Sequence, residues 1–204
     1  MTTASPLLSV RGLNASYRTP GGTIEAVRDV SFDLGPGETL ALVGESAAGK
    51  STVGLALLGL LPQHAEAAGD VRYRGESLLG APLSRLREVR GAEISMIFQD
   101  AQSALTPTIS VGDQLAEVYA AHLGLSRRDA RQRALDRLRE VLPDPERVSK
   151  AYPFQLSGGM AQRVMIAMAT ALRPRVIIAD EPTASLDPAV RQETLAALER
   201  LRDE

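Results

Sequence analysis

LALVGESAAGKSTVGLALLGLLP, at residues 40–62, is apolar at both ends and polar and glycine-rich in its middle. Its first part predicts a strand over 39–45 that is buried on both faces, and its last part predicts a helix from Lys50 that ends near Pro62. The middle fits the pattern G-x-x-x-x-G-K-[ST], in which backbone N–H groups at a helix start surround phosphates. We therefore predict a phosphate-binding loop at residues 44–51.

The side chains at the end of this loop agree with a bound nucleotide. Lys50 would bring a mobile positive charge to the β- and γ-phosphates, and the hydroxyl of Ser51 can bind Mg²⁺. A chance match to the motif is the alternative, and the strand–loop–helix context disfavours it. Lys150 is the only other lysine among 23 basic residues, and the rest are arginine. Because arginine is the usual basic residue of this chain, a lysine at position 50 is less expected by chance.

The composition restricts the class of protein and its partners. A chain of 204 residues, 44% hydrophobic and 24% charged, fits one soluble globular domain with room for a subdomain. A net charge of −2 gives no support for nucleic acid or an anionic membrane as partner, and the absence of cysteine excludes disulfides and thiolate metal sites. The N-terminus has no basic leader and no apolar run is long enough to cross a bilayer. We therefore expect any membrane connection to come through a partner.

The order of apolar segments predicts an α/β fold. Segments rich in β-formers within 7–34, split by a turn at 20–22, predict antiparallel strands, whereas apolar runs ending at Gln99 and Asp180 predict buried strands. Between these two runs the stretch 103–172 is mostly helical in pattern. Strands that alternate with helices indicate a parallel sheet covered on both faces.

Local signals divide the second half of the chain. Ser126 followed by Asp129 resembles a capping box and predicts a helix through SRRDARQRALDRLREVL. The next segment, PDPERVSKAYP at 143–153, predicts a loop. A helix is predicted behind the glycine pair at 158–159, and a last helix has Pro188 in its first turn.

Two acids follow the apolar run VIIA. The predicted strand carries Asp180 to its carboxyl end, where ligands bind in open α/β sheets. Asp180 can hold the hydration shell of a metal, and the neighbouring Glu181 can orient or deprotonate an attacking water. Two acids at a helix cap are the alternative. The phosphate loop elsewhere in the chain favours the catalytic interpretation.

LSGGMAQR, at 156–163, predicts a second anion site. A serine and two glycines stand at the start of a helix, where N–H groups point outward. A simple N-cap is the alternative, because serine and glycine start many helices. A second phosphate-binding helix start is superfluous in one nucleotide site, but it is useful if two chains meet head-to-tail and each completes the other's site.

Together these segments resemble the ATPase subunit of an ATP-binding-cassette transporter. The resemblance runs from about residue 7 to the end and is carried, in the family's order, by GESAAGKS, MIFQD, LSGGMAQRVMIAMA, IIADEPT and SLD. SMIFQDAQSALTP and YPFQLSGGM are similar to the dipeptide, oligopeptide and nickel importer branch. The resemblance implies a phosphate-loop NTPase core with an N-terminal antiparallel β-subdomain, at 1–98 and 173–204, and an inserted helical subdomain at 99–172.

The resemblance also implies roles within one nucleotide site. Tyr17 would stack on adenine, and a strand tyrosine packed on the core is the alternative. Gln99 would reach Mg²⁺ and the water, and a half-exposed glutamine at a strand end is the alternative. Glu181 would be the general base, helped by Lys50 and Gln99. The Mg²⁺ ligands would be Ser51, Gln99 and Asp180. The ATP-binding residues would be Tyr17, Gly44, Glu45, Ser46, Ala47, Ala48, Gly49, Lys50, Ser51 and Thr52.

A second implied set of residues faces another ATPase subunit, identical or paralogous, in a head-to-tail dimer. There the signature residues Ser157, Gly158, Gly159 and Met160 would contact the ATP held by the partner. Asp187 would lie at the dimer seam, and an N-cap of the last helix is its alternative.

The implied function is ATP hydrolysis that powers import of peptides or nickel-type cargo. The subunit would lie at the cytoplasmic face of the membrane, bound to transmembrane permease subunits, with an extracytoplasmic substrate-binding protein as an indirect partner and no nucleic acid. Two alternatives stay open. One is a soluble cassette ATPase outside transport, and the other is a nucleotide-binding regulatory module with little hydrolysis.

Three departures from the family pattern carry expectations. Ala47 stands where the branch has glycine, and if this residue needs φ above zero the alanine costs about 1 kcal/mol. Ala48 follows it, and we expect nucleotide binding to survive both. The family places a histidine that contacts the γ-phosphate beyond the last helix, whereas His64 and His122 are both upstream. We therefore expect a truncated chain with weak hydrolysis on its own.

Overall fold

The computed structural model describes residues 5–183 and, near the C-terminus, residues 188, 191, 192, 195, 196, 198 and 199. The chain divides into two compact units, one ending at Arg87 and the other spanning Glu88–Glu199. The predicted limits of the core and the helical subdomain stay a prediction.

The first unit is built on an antiparallel sheet. Its strands are β1 (Leu8–Thr19), β2 (Gly22–Leu34), β3 (Ala65–Tyr73) and β4 (Glu76–Ser77), in the order β2-β1-β3-β4. The last pair of β1 and β2, Thr19 with Gly22, encloses the predicted turn, so the antiparallel N-terminal strands are confirmed. Buried side chains of β1 and β3 form the core on one face of the sheet: Leu8, Val10, Leu13, Val71 and Tyr73.

The predicted strand at 39–45 is wrong, because these residues are irregular and exposed. Val43 is 93% exposed and Leu40 45% exposed. A strand that is apolar on both faces needs ladder partners at its edges. In the described part of this sheet only β1 to β4 pair, all of them antiparallel, so residues 39–45 have no ladder partner in it. The predicted helix after the loop is confirmed as α1 (Lys50–Leu57).

The second unit combines a short parallel sheet with helices. Strands β5 (Ile94–Ile97) and β6 (Val176–Ala179) pair in parallel, from Ile94 with Val176 to Ile97 with Ala179. Along the chain α2 (Leu83–Val89) comes before β5. Between β5 and β6 lie α3 (Ala101–Ala104), α4 (Val111–Leu123), α5 (Arg127–Arg139), α6 (Pro145–Lys150) and α7 (Gly158–Ala169). The predicted α/β fold class is confirmed.

Helix caps explain both a correct prediction and an error. Ser126 caps α5, and its hydroxyl oxygen accepts a hydrogen bond from the backbone N–H of Asp129, as the sequence predicted. The predicted loop at 143–153 instead contains α6, because Asp144 is an N-cap and Pro145 occupies the first helical position. Burial of Pro145 and Val148 stabilises this short helix.

Within the described residues, no helix is both long and apolar enough to cross a membrane.

A close helix contact gives the first prediction. A Cβ at Gly112 of α4 would overlap the Ser149 side chain of α6 and lie 2.8 Å from the Ser149 carbonyl oxygen. We expect Gly112→Ala to lower the free energy of unfolding by about 1–3 kcal/mol, measured by denaturant titration, because the two helices must separate. Helix propensity by itself predicts the opposite sign. Adding Ser149→Ala should restore part of the loss, and a Gly112→Ala variant more stable than the parent would contradict the contact.

Candidate functional site

The predicted phosphate loop forms a tight turn before α1. Gly49 has φ 87° at the N-cap of the helix, and Ala47 has φ 63°. A Cβ at Gly49 would overlap the carbonyl oxygen of Ala26 in β2, so only glycine fits. The condition stated for Ala47 is met, because its backbone lies in the left-handed region. The strain of an alanine is therefore present in this loop.

Lys50 lies at the start of α1 and folds back over the loop. Its Nζ donates hydrogen bonds to the carbonyl oxygens of Gly44 at 3.0 Å and Glu45 at 2.8 Å. The ammonium group is therefore held at the loop that leads into the helix N-terminus. A cation in this place can accompany a phosphate group that the loop N–H groups bind.

Tyr17 lies beside the helix that follows the loop. Its hydroxyl is 3.1 Å from the hydroxyl of Thr52 in α1, and its ring is 5.9 Å from the ring of His64. The tyrosine is only half-buried. Contact of this ring with adenine therefore stays a prediction, as does the alternative of a tyrosine packed on the core.

In the second unit, the carboxyl ends of β5 and β6 bring the other predicted residues together. The Nε2 of Gln99 donates a hydrogen bond to Oε2 of Glu181 at 2.9 Å. The backbone N–H of Asp180 donates to the carbonyl of Ile97 at 2.9 Å. Gln99 is exposed, whereas its alternative interpretation expected a half-exposed glutamine, and its amide contacts the predicted base. Glu181 has φ 44°, a left-handed backbone that is unusual for this residue type.

Asp100 starts the helix that follows Gln99, and the sequence did not predict this role. It is the N-cap of α3, and its Oδ1 accepts hydrogen bonds from the N–H groups of Gln102 and Ser103. The pKa of Asp100 is lowered below its ordinary value of 3.8. The main cause is the hydrogen bond from the hydroxyl of Ser103, and the second is the hydrogen bond from the backbone N–H of Ser103. The signal in the sequence was an aspartate, a preferred N-cap residue, directly before a short polar segment.

The signature segment has the geometry of its N-cap alternative. The hydroxyl oxygen of Ser157 accepts a hydrogen bond from the backbone N–H of Met160 at 3.3 Å, and α7 begins at Gly158. A Cβ at Gly158 would meet no atom within 4 Å, so the helix start is open on that side. Contact of this segment with a partner's nucleotide stays a prediction. Asp187 lies outside the described residues.

The predicted metal ligands are chemically suited to Mg²⁺. The hydroxyl of Ser51, the amide oxygen of Gln99 and the carboxylate of Asp180 are all hard oxygen donors, which Mg²⁺ prefers. Three or more His, Cys, Asp or Glu residues do not cluster as a metal site anywhere in the described part of the chain. Ser51 belongs to the first unit and Gln99 and Asp180 belong to the second, so a Mg²⁺ site that they share stays a prediction.

Sequence comparison finds relatives that are named as import or transport ATP-binding proteins. The sequence profile of the ABC transporter family matches residues 27–184. The chain is 48% identical over 202 residues to a Brucella abortus protein that is named, provisionally, a peptide import ATP-binding protein, and the match covers 98% of this chain and 61% of the relative. It is 45% identical over 199 residues to the dipeptide transport ATP-binding protein DppD of Bacillus subtilis, over 96% of this chain and 59% of DppD. The chain thus spans about three fifths of the length of these curated relatives.

Solved structures show the same fold. A dimeric, post-hydrolysis structure of the ATP-binding cassette MJ0796, bound to ADP and Pi, superposes with a TM-score of 0.81 at 27% identity. The match covers 96% of this chain and 83% of that one. CbiO1 of Clostridium perfringens, part of the ABC transporter complex cbiONQ, superposes with a TM-score of 0.72 at 28% identity, over 98% of this chain and 75% of that one.

The left-handed backbone of Ala47 gives the second prediction. We expect Ala47→Gly to be more favourable than Ala48→Gly by about 1–2 kcal/mol in the free energy of unfolding, measured by denaturant titration, because only residue 47 has a positive φ. Both changes add the same flexibility to the unfolded chain, so the difference isolates the strain. Equal effects at the two positions would show that Ala47 is not strained.

Proposed function

We propose a function from one premise, which is that this chain belongs to the ABC transporter family. The chain binds Mg·ATP, pairs with a second ATPase subunit and hydrolyses ATP to drive import through membrane subunits. The observation that carries the proposal is the loop at 44–51, in which Gly49 is required by a close backbone approach and Lys50 is held at the start of α1.

The loop would bind the phosphates of ATP. Its N–H groups and the N-terminal end of α1 offer partial positive charge, and Lys50 would exchange its carbonyl partners for phosphate oxygens. The ring of Tyr17 would stack on adenine while its hydroxyl keeps contact with Thr52. This set of contacts favours nucleotide binding even with alanine at positions 47 and 48.

The residues at the ends of β5 and β6 would support in-line attack of water on the γ-phosphate. Mg²⁺, when bound, would neutralise charge that develops on the phosphate oxygens. Glu181 would accept the proton of the water, and Gln99, which already contacts that carboxylate, would orient both groups. Asp180 would hold the metal's water shell from the end of β6.

The proposed partners follow from the signature segment and from the relatives. The open start of α7 at Gly158 supports contact with the nucleotide of a second ATPase subunit, identical or paralogous. Relatives named for peptide and dipeptide transport favour the import interpretation over a soluble ATPase outside transport. Permease subunits would hold the chain at the cytoplasmic face of the membrane, and an extracytoplasmic substrate-binding protein would deliver peptide or nickel-type cargo to those subunits.

The third prediction tests nucleotide binding. We expect Lys50→Ala to weaken binding of Mg·ATP by at least 100-fold in titration calorimetry, because a charge-assisted contact to the phosphates is lost. Lys150→Ala is the matched control, since it removes the other lysine of the chain and lies on exposed surface. If both variants bind ATP as the parent does, the proposed phosphate site is wrong.

The fourth prediction tests hydrolysis. In the full chain, Glu181→Gln should lower the rate of ATP hydrolysis about 10²–10⁴-fold, because general-base catalysis is removed, and should leave ATP affinity within a factor of a few. The control is Glu117→Gln on the exposed surface of α4. Unchanged hydrolysis in Glu181→Gln would exclude this residue as the base.

A further inference from the structure

Gln162 is a buried amide that the proposed mechanism does not use. It lies in α7, the residue is only 2% exposed, and its Nε2 donates a hydrogen bond of 2.9 Å to the carbonyl oxygen of Pro182. Most buried residues of this helix are apolar, including Ala161, Val164 and Met165. A polar side chain in such a place is costly unless it makes a specific bond, so its partner is informative.

The partner of Gln162 belongs to the turn that carries the proposed base. Pro182 directly follows Glu181, whose backbone is left-handed with φ 44°. A non-glycine residue holds this conformation only where its surroundings impose it. The turn is held at two points, because Gln99 bonds the Glu181 carboxylate and Gln162 bonds the next backbone carbonyl.

The same helix also carries the proposed signature segment. Gln162 lies four residues after Gly158, about one helical turn along α7. One turn of backbone hydrogen bonds joins the two residues, so we expect the start of α7 and Gln162 to move together. A shift of the helix start would therefore be transmitted to the carbonyl of Pro182.

We propose that Gln162 is a positioning residue. It holds Glu181 in the orientation needed for hydrolysis and couples that carboxylate to the signature end of α7. This inference rests on the proposed function, in which Glu181 is the base. Its bond is to the backbone of the turn that carries Glu181, so its loss should change the rate of hydrolysis and not the affinity for ATP.

The test compares Gln162→Met and Gln162→Asn with the unmodified full chain. Methionine keeps the volume without the donor, whereas asparagine keeps the amide on a chain one carbon shorter that cannot span to Pro182. The matched control is Gln132→Met, because Gln132 is an exposed glutamine of α5. Hydrogen exchange of the segment containing 181–183 is measured in each variant, together with kcat and KM for ATP.

We expect both variants to lower kcat about 10–100-fold with KM changed less than threefold, since a small displacement of a catalytic group costs this much. In a Glu181→Gln background, Gln162→Met should cause no further loss, because it acts through that carboxylate. Exchange at 181–183 should become faster, while exchange at 44–52 stays unchanged.

Three outcomes would overturn the inference. The first is unchanged hydrogen exchange at 181–183 in both variants. The second is a loss of ATP affinity as large as the loss of kcat. The third is that Gln162→Met lowers hydrolysis in the Glu181→Gln background by the same factor as in the unmodified chain. Lack of ATP binding by the unmodified chain would instead refute the proposed function, and the exchange measurement would still decide whether Gln162 holds the turn.

Discussion

The parallel pairing of β5 with β6 is the backbone interaction on which the second unit depends. The two strands are short, but their pairing runs from Ile94 with Val176 to Ile97 with Ala179. Because they run in the same direction, the residues that follow them emerge at one edge of the sheet. Gln99 and Glu181, which are 82 positions apart in the chain, form a hydrogen bond there. The proposed catalytic contact is thus a consequence of strand direction.

Two of the five described non-glycine residues with left-handed backbones lie at or next to residues proposed to act on ATP. Ala47 and Glu181 both have left-handed backbones that glycine would adopt more easily. Each is held by its surroundings. Lys50 bonds the loop carbonyls on one side of Ala47, and the amides of Gln99 and Gln162 hold the turn at Glu181. Strain that is stabilised by specific contacts keeps groups oriented before the ligand arrives, which is the arrangement that efficient catalysis needs.

In the first unit the antiparallel sheet supports the predicted phosphate loop. The backbone of β2 approaches Gly49 so closely that no side chain fits, which anchors the loop to the sheet. From β1, Tyr17 reaches Thr52 in the helix that follows. Two strands therefore contact the loop and the first turn of α1, and both strands belong to a sheet with buried core side chains. Rigid support of this kind is what lets a loop present its amides to an anion.

What the sequence by itself determined is the set of features that neighbouring residues encode: the N-terminal hairpin, the helix after the phosphate loop, the Ser126 cap and the segment order of the family. Only the tertiary structure decided that 39–45 forms no strand, because its ladder partners must come from elsewhere in the chain. Burial of Pro145 and Val148 likewise turned a predicted loop into a helix. The bond from Gln162 to Pro182 joins positions 20 residues apart. Hydrophobic patterns record which side chains avoid water, whereas the identity of the residue that covers or bonds each of them is set by contacts between distant parts of the chain.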